Sequence, residues 1–494
     1  MELPGKRECC WVATAPDTSY PKLDRSLQAD VAIIGAGIVG LTAAYLLAQT
    51  GLSVIVLEAR RIGRQVTGRS TAKVTSQHSL IYRHLMDTFD LDTARLYAEA
   101  NRCGVDRIRS WVTELGIPCD FEMKDAYVYT QDPARRSDIE AEAQAACEVG
   151  FDAEALDSAP LPFVTAGALR FRNEAQFNPA QYLVGLSENI KNADAQVFEE
   201  TRVTAVKGNG RWQIDAGAGH VVAEQVVVAT NLPIAGPAFD ACTQPRCHIG
   251  MAFRAEPGVI EGMFIGLDNP THSLRMGRDR EGELLVALGP SFYTGQDGNV
   301  AKRFWDLEQW IRTNFSVGIA EWRWVNEDYD TADRLPFIGA PSKDMPGFFI
   351  ATGFNGWGIS NGTAAGMLIA DLARGRSNPW AKLYDPTRPS SKNFNQGSGS
   401  KTEVKSVDDI PTNEGGIIEQ GKEKLAVWKS MDGTLRALSA ACTHAGCTVT
   451  WNNADKTWDC PCHGSMFAAN GEVIHGPAVE PLPQRILVPI PRTR

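Results

Sequence analysis

The stretch that most constrains this chain is Asp30–Glu58, DVAIIGAGIVGLTAAYLLAQTGLSVIVLE. Val31–Ile34 is an apolar run of strand length and Gly35-Ala-Gly-Ile-Val-Gly40 is a glycine loop. Leu41–Thr50 is Ala/Leu-rich with helical periodicity, and Ser53–Leu57 is a second strand closing on Glu58. These pieces read as a βαβ nucleotide cradle. Gly35 allows the tight turn, Gly37 lets backbone approach a pyrophosphate, and Gly40 lets the helix lie close on the strand, while the helix N-terminus offers N–H donors. Glu58 stands where a carboxylate can accept both hydroxyls of an adenosine ribose. A ligand-free glycine turn is the competing reading; the flanking strand, helix and acid weigh against it.

With 494 residues the chain should hold two or three domains. A formal charge of −10 argues against nucleic acid or an anionic membrane surface as a partner. No apolar run approaches the roughly 18 residues of a membrane span. The opening MELPGKRECCW lacks the apolar core of a secretion signal, so a cytoplasmic location is expected. Seven of the eleven cysteines are scattered, but Cys442, Cys447, Cys460 and Cys462 crowd together.

Residues 1–29 hold three prolines and few apolar positions, and are expected to wrap the surface before the first strand. After Glu58, Gly68-Arg-Ser-Thr-Ala-Lys-Val-Thr-Ser76 is rich in hydroxyls and backbone donors that can close over a phosphate or a flavin edge; a polar loop capping a helix is the plainer alternative. Helices are expected over Leu91–Leu115, Ser137–Val149 and Pro179–Ala193, then a strand Gln196–Val203 and a hairpin Arg211–Ile214/His220–Val228 that resumes the nucleotide domain. From about Pro233 to Thr331, half-buried strands around a helix Val300–Asn314 suggest a sheet-based substrate domain. Pro346–Ala373 gives a strand, a glycine-rich turn and a helix beginning near Gly358, a second N-terminus able to face an electron-rich ligand. Residues 386–405 read as a linker, and 406–494 as a separate all-β module.

That module carries Cys442-Thr-His444-Ala-Gly-Cys447 and Cys460-Pro-Cys462-His463-Gly-Ser465. Two cysteines and two histidines on two loops can bind tetrahedral zinc. Cys-x-His followed after fifteen residues by Cys-x-x-His is instead the pattern of a Rieske [2Fe–2S] centre. The module resembles Rieske proteins throughout, which implies Cys442, His444, Cys460 and His463 as ligands, a disulfide between Cys447 and Cys462, and a cluster hydrogen bond from Ser465. Phe467 stands where respiratory members commonly have a tyrosine donating to a cysteine sulfur. The loss of that donor implies a potential below theirs, within the broad Rieske range of about −150 to +300 mV.

Residues from about 28 to 375 resemble the glycine oxidase, D-amino-acid oxidase and sarcosine oxidase group of FAD enzymes. The matching pieces are GAGIVG with Glu58, GRSTAK, Asp333-Arg-Leu-Pro-Phe-Ile-Gly339 and Thr352-Gly-Phe-Asn-Gly-Trp-Gly-Ile-Ser-Asn-Gly362. The join to a C-terminal Rieske module resembles a bacterial subgroup of such oxidoreductases. The resemblance implies a fold of mixed α/β and α+β class. A discontinuous Rossmann-like FAD domain (about 28–90, 150–232 and 330–385) would carry a mixed-sheet substrate domain between its segments, completing an oxidoreductase unit over 1–385, with the all-β Rieske domain after it. On the same basis Gly35, Gly37, Gly40 and Glu58 hold the ADP half of FAD, Ser70, Thr71 and Lys73 lie near the pyrophosphate or ring, and Val203 packs by adenine. Asp333, Gly353, Gly358, Ile359 and Ser360 close on the flavin. Lys73 occupies the position of a tethering histidine in one branch, which implies non-covalent FAD.

The activity implied is oxidation of a C–N bond in an amino acid or N-methyl or secondary amine, by hydride transfer to FAD. Arg275 resembles an arginine that pairs with substrate carboxylate, although Arg278 and Arg280 beside it make a surface role as plausible. His248 either faces the pocket or is a satisfied structural histidine. A one-electron cluster beside a two-electron flavin suits a dehydrogenase delivering to an external carrier such as a ferredoxin, a cytochrome or a quinone-linked acceptor. Two alternatives stay open: a reductase or monooxygenase component in which electrons run from a carrier to FAD, and a non-enzymatic redox sensor.

Overall fold

The computed structural model describes residues 2–191, 195–239, 241–389 and 402–488. Most of the expected linker, 390–401, therefore lies outside the described residues. An open sheet forms around the glycine cradle, with strands in the order Phe337–Gly339, Phe348–Thr352, Gly219–Val228, Ser26–Ile34, Val54–Leu57 and Ala195–Phe198. All neighbours are parallel except the short first strand. A parallel sheet needs cover on both faces, and the central strands are correspondingly continuous apolar runs. Val31–Ile34 and Val54–Leu57 are buried at every position. The helices Ile38–Ala48 and Ser360–Ala373 pack together on this sheet. Close approach is possible because a side chain at Gly366 would meet Thr42 Cβ at 2.6 Å, and one at Gly362 would meet Ile38 Cγ2 at 2.7 Å.

A second sheet, mixed and eleven-stranded, lies where the sequence leads one to expect a substrate domain. Its spine is the antiparallel pair Thr243–Arg254 and Ala320–Thr331, in register from Thr243↔Thr331 to Ala252↔Trp322, with a shift before Phe253↔Ala320. The second of these strands carries the aromatic residues Trp322 and Trp324 near its start and runs on through Thr331. Its continuation, Asn326–Thr331, carries the site described below. The sequence suggests one strand over 196–203, where the structure has two, Ala195–Phe198 and Val203–Gly208.

The N-terminal segment departs from its expected surface course. Cys10–Thr14 is a short helix with Cys9, Cys10, Trp11 and Val12 buried in the main core. The Trp11 ring lies under the Arg275 guanidinium at 4.5 Å, and its indole N–H donates to Ser70 O at 3.0 Å. Only four apolar residues make this anchor, too few to register as periodicity.

The C-terminal module is two four-stranded antiparallel sheets, Glu414–Gln420/Glu423–Lys429/Leu435–Ser439/Gln484–Arg485 and Thr450–Asn452/Thr457–Asp459/Met466–Ala468/Val473–His475. It is seated against the oxidoreductase domain by Thr450 Oγ1 to Gly295 O (2.9 Å), Ala301 N to Asn453 Oδ1 (2.9 Å) and Arg202 Nη2 to Val473 O (3.1 Å). No helix among the described residues is long and apolar enough to cross a membrane.

Candidate functional site

The glycine loop opens into a cavity of about 550 Å³ between the two sheets. Its lining includes Gly35, Gly37, Glu58, Arg202 and Val203 from around the glycine cradle, together with Lys73, His78, His248, Trp357, Gly358, Ile359 and Ser360. Gly35 has φ +103°, and a Cβ there would stand 2.5 Å from Ala229 O. This tight turn brings the start of the helix Ile38–Ala48, with Gly37 at its cap, to the cavity wall, where a helix N-terminus suits an anion; Ile38 N itself donates to Thr67 Oγ1 at 3.3 Å. Glu58 Oε2 accepts from Ala36 N at 2.9 Å and Oε1 from Arg60 N at 2.9 Å, so the carboxylate is oriented at the cavity wall; burial raises its pKa. A cavity lined by a glycine cradle with its acid and by a second helix entry fits a dinucleotide.

Ser70 and Thr71 also line the cavity. Lys73 is fully enclosed, its ammonium donating to Phe264 O and Ser273 Oγ, both at 2.6 Å; burial and then Arg275 bring its pKa down to about 7. His248 does line the cavity, with Nε2 accepting from Arg246 Nη1 at 3.0 Å. Burial first, and Arg246 second, hold it well below the ordinary histidine range, so it is a neutral acceptor rather than a base.

Four expected site residues stand outside the lining. Gly40 serves the packing beneath the cradle: a Cβ would fall 1.9 Å from Gly35 O. Gly353 takes φ +77° at a turn where a Cβ would meet Thr331 Cγ2 at 2.4 Å. Asp333 pairs with Arg388, Oδ2 to Nε at 2.8 Å, fastening the end of the oxidoreductase domain, while its neighbour Arg334 faces the cavity. Arg275 is buried and donates to backbone carbonyls: Nε to Met276 O at 3.0 Å, Nη1 to Ala72 O at 2.7 Å and to Phe177 O at 3.1 Å. It is thus neither a surface arginine nor a residue of the cavity wall, because carbonyls left by the turn around Ala72 claim its fork.

Two features of the wall have no counterpart among the residues the sequence singles out. His78 bonds Tyr97 Oη through Nδ1 at 2.7 Å and Ser360 Oγ through Nε2 at 3.0 Å, and stacks on Trp357 at 4.7 Å; burial takes its pKa to about 3. Its only signal is its place two residues beyond Ser76. The second is the strand Asn326–Asp330. Asn326, Glu327 and Asp328 line the cavity, and Asp328 Oδ2 accepts from Gly356 N at 2.6 Å, with burial pushing its pKa up to about 6.

On the module, Cys442 and Cys460 lie side by side, and the His444 and His463 rings meet edge to face at 4.9 Å. The Cys460 thiol donates to Cys442, which holds the Cys442 sulfur below the ordinary thiol range. Sulfurs of Cys447, Cys460 and Cys462 also fall within 4.8 Å of one another, but Cys447 and Cys462 are joined as a disulfide with Cα atoms 6.5 Å apart. The remaining donor set is two thiols and two imidazoles, which suits a Rieske centre with cysteines on one iron and histidines on the other. His463 is 8% exposed, whereas His444 is at the surface.

A family model described as DAO, FAD dependent oxidoreductase, matches residues 30–372, and one described as Rieske [2Fe-2S] domain matches 400–486. The chain belongs to the DAO family of FAD-dependent oxidoreductases. It carries a C-terminal Rieske domain, and binds FAD in the first part and a [2Fe–2S] cluster in the second. It is 31% identical over 495 residues, 97% of each chain, to YhfW of Bacillus subtilis (strain 168), whose name describes a Rieske 2Fe-2S iron-sulfur protein. Against gamma-glutamylputrescine oxidoreductase of Escherichia coli (strain K12) it is 23% identical over 371 residues, covering 72% of this chain and 86% of the relative. Glycine oxidase from Geobacillus kaustophilus has a similar fold, with TM-score 0.58 and 18% identity over 74% of this chain and all of the other.

Proposed function

We propose that this DAO-family oxidoreductase oxidises a C–N bond of an amino acid or of an N-methyl or secondary amine, and delivers the electrons one at a time, through its Rieske centre, to an external carrier. The observation that carries the reading is a shared wall. On the strand Ala320–Thr331, Asn326, Glu327 and Asp328 line the FAD cavity while Tyr329 donates to His463 O at 3.1 Å. This one strand borders both cofactor sites, and Ile474, His475 and Gly476 of the Rieske module line the same cavity. Bound FAD supplies a two-electron acceptor, and the cluster supplies a one-electron store.

The chain's own part is to orient the substrate and exclude water. Ile265, Leu267 and Leu288 give the cavity its apolar wall, and neutral His248 and Asp328 offer polar contacts. Lys73, with a pKa of about 7, can hold its amine neutral above that pH and so not repel an amine substrate. Because that amine is already engaged with Phe264 and Ser273, it supports non-covalent attachment of FAD; acid precipitation should leave a colourless pellet and a yellow supernatant.

The decisive experiment is an anaerobic screen of amines and amino acids that follows flavin bleaching and then the reduced-cluster EPR signal. A compound that bleaches the flavin and brings up the cluster signal is expected. Bleaching by NAD(P)H with none by any amine would favour the reductase reading instead.

A further inference from the structure

We propose that Tyr329 is a positioning residue that clamps the cluster-ligand loop Cys460–Ser465 to the wall of the FAD cavity, so that the Rieske module works from one fixed, docked position. Tyr329 is fully buried. Its single hydroxyl proton lies between His463 O at 3.1 Å and Glu327 Oε2 at 3.3 Å, the ligand carbonyl being nearer. Its own backbone carbonyl accepts from Asn355 N at 3.1 Å, and Asn355 lies in the segment 354–360 that lines the cavity. One residue thus touches a cluster-ligand histidine with its side chain and a cavity-lining segment with its main chain.

The surroundings leave the loop little freedom. Glu327 is held by Thr294 Oγ1 at 2.5 Å and by His475 Nε2 at 3.3 Å, bringing a residue of the module itself into the same network. Gly464, next to the ligand His463, has φ +75°, and a Cβ there would stand 2.6 Å from Glu327 Oε1 and 2.8 Å from Pro245 Cβ. On the other side of the loop, Gly295 admits no side chain because its Cβ would lie 2.8 Å from Pro461 N. The loop is thus packed closely on two sides, against the Glu327 and Pro245 side chains at Gly464 and against the Gly295 backbone at Pro461. Phe467 cannot supply a hydroxyl to the centre, and Tyr329 brings one from the other domain, aimed at a ligand carbonyl rather than at a sulfur. A donor at that carbonyl draws electron density from the ligand peptide and stabilises the reduced, more negative cluster.

The inference needs the two cofactors but not the identity of the amine, so its test uses holoprotein reduced by dithionite. Hydrogen exchange of the wild-type protein should show the amides of Cys462–Ser465 equally protected in the oxidised and reduced states. Tyr329→Phe should raise exchange there at least tenfold, lower the cluster midpoint potential and shift its EPR g-values. Asn453→Ala, which breaks a domain contact away from the loop, should alter neither potential nor g-values. Reduction that frees the loop in wild-type protein would overturn the fixed position. An unchanged potential and protection in Tyr329→Phe would overturn the role of Tyr329, and both outcomes leave the amine reading untouched.

Discussion

Replacing Lys73 by Met tests the electrostatics of the cavity directly. Burial and the Arg275 charge lower the Lys73 pKa from 10.5 to about 7. At about 1.36 kcal/mol per unit, a charged Lys73 costs the folded protein roughly 5 kcal/mol relative to the unfolded chain. Between those two pKa values the unfolded chain binds a proton that the folded protein does not, so stability rises with pH across that window. At about pH 6 the wild type carries the whole penalty; near pH 9.5 only about 1–2 kcal/mol of it is left. The Lys73→Met protein would have no such pH-dependent contribution. Its lost hydrogen bonds to Phe264 O and Ser273 Oγ and its different shape shift stability by an amount common to both pH values. The difference in stability between Lys73→Met and wild type should therefore move against the variant by roughly 3 kcal/mol from pH 6 to pH 9.5. Urea unfolding of both holoproteins at the two pH values measures this, with the slopes checked for equality. Parallel stability curves would refute the idea that the amine is strained by desolvation.

Other substitutions address the remaining parts. Gly40→Ala would place a Cβ 1.9 Å from Gly35 O, a backbone atom unable to swing away, and should cost about 3 kcal/mol or more together with most of the bound FAD, read as flavin per polypeptide. Cys460→Ser should abolish bound iron and sulfide while leaving FAD in place, since its partners are all on the module; loss of both cofactors together would count against independent sites. Phe467→Tyr should raise the cluster potential in a redox titration by adding a donor near the cluster, and an unchanged or lower potential would contradict that reading. Arg275→Met should lower the unfolding midpoint by removing a guanidinium bonded to three carbonyls, with little change in KM once a substrate is known; a KM raised tenfold with stability intact would return Arg275 to substrate binding.

Both cofactor sites are legible in the amino-acid order because each rests on a short local motif. The GAGIVG turn with Glu58 encodes a backbone shape that only glycines allow, and the CTH/CPCH pair encodes a donor set whose spacing is set by two tight loops. The helices over 91–114 and 300–314 are legible for the same reason, a 3.6-residue period along one segment. Tertiary structure decided what depends on residues far apart. Arg275 could not be assigned from Ser273-Leu-Arg-Met, because the carbonyls that capture it belong to Ala72 and Phe177, on distant turns. His78 gains its role only when Ser360 and Trp357 come to meet it. Most of all, no spacing could reveal that Tyr329 reaches His463 across 134 positions, since a contact between domains is a matter of surface complementarity, and the motif that holds His463 specifies cluster ligands rather than the surface it docks on.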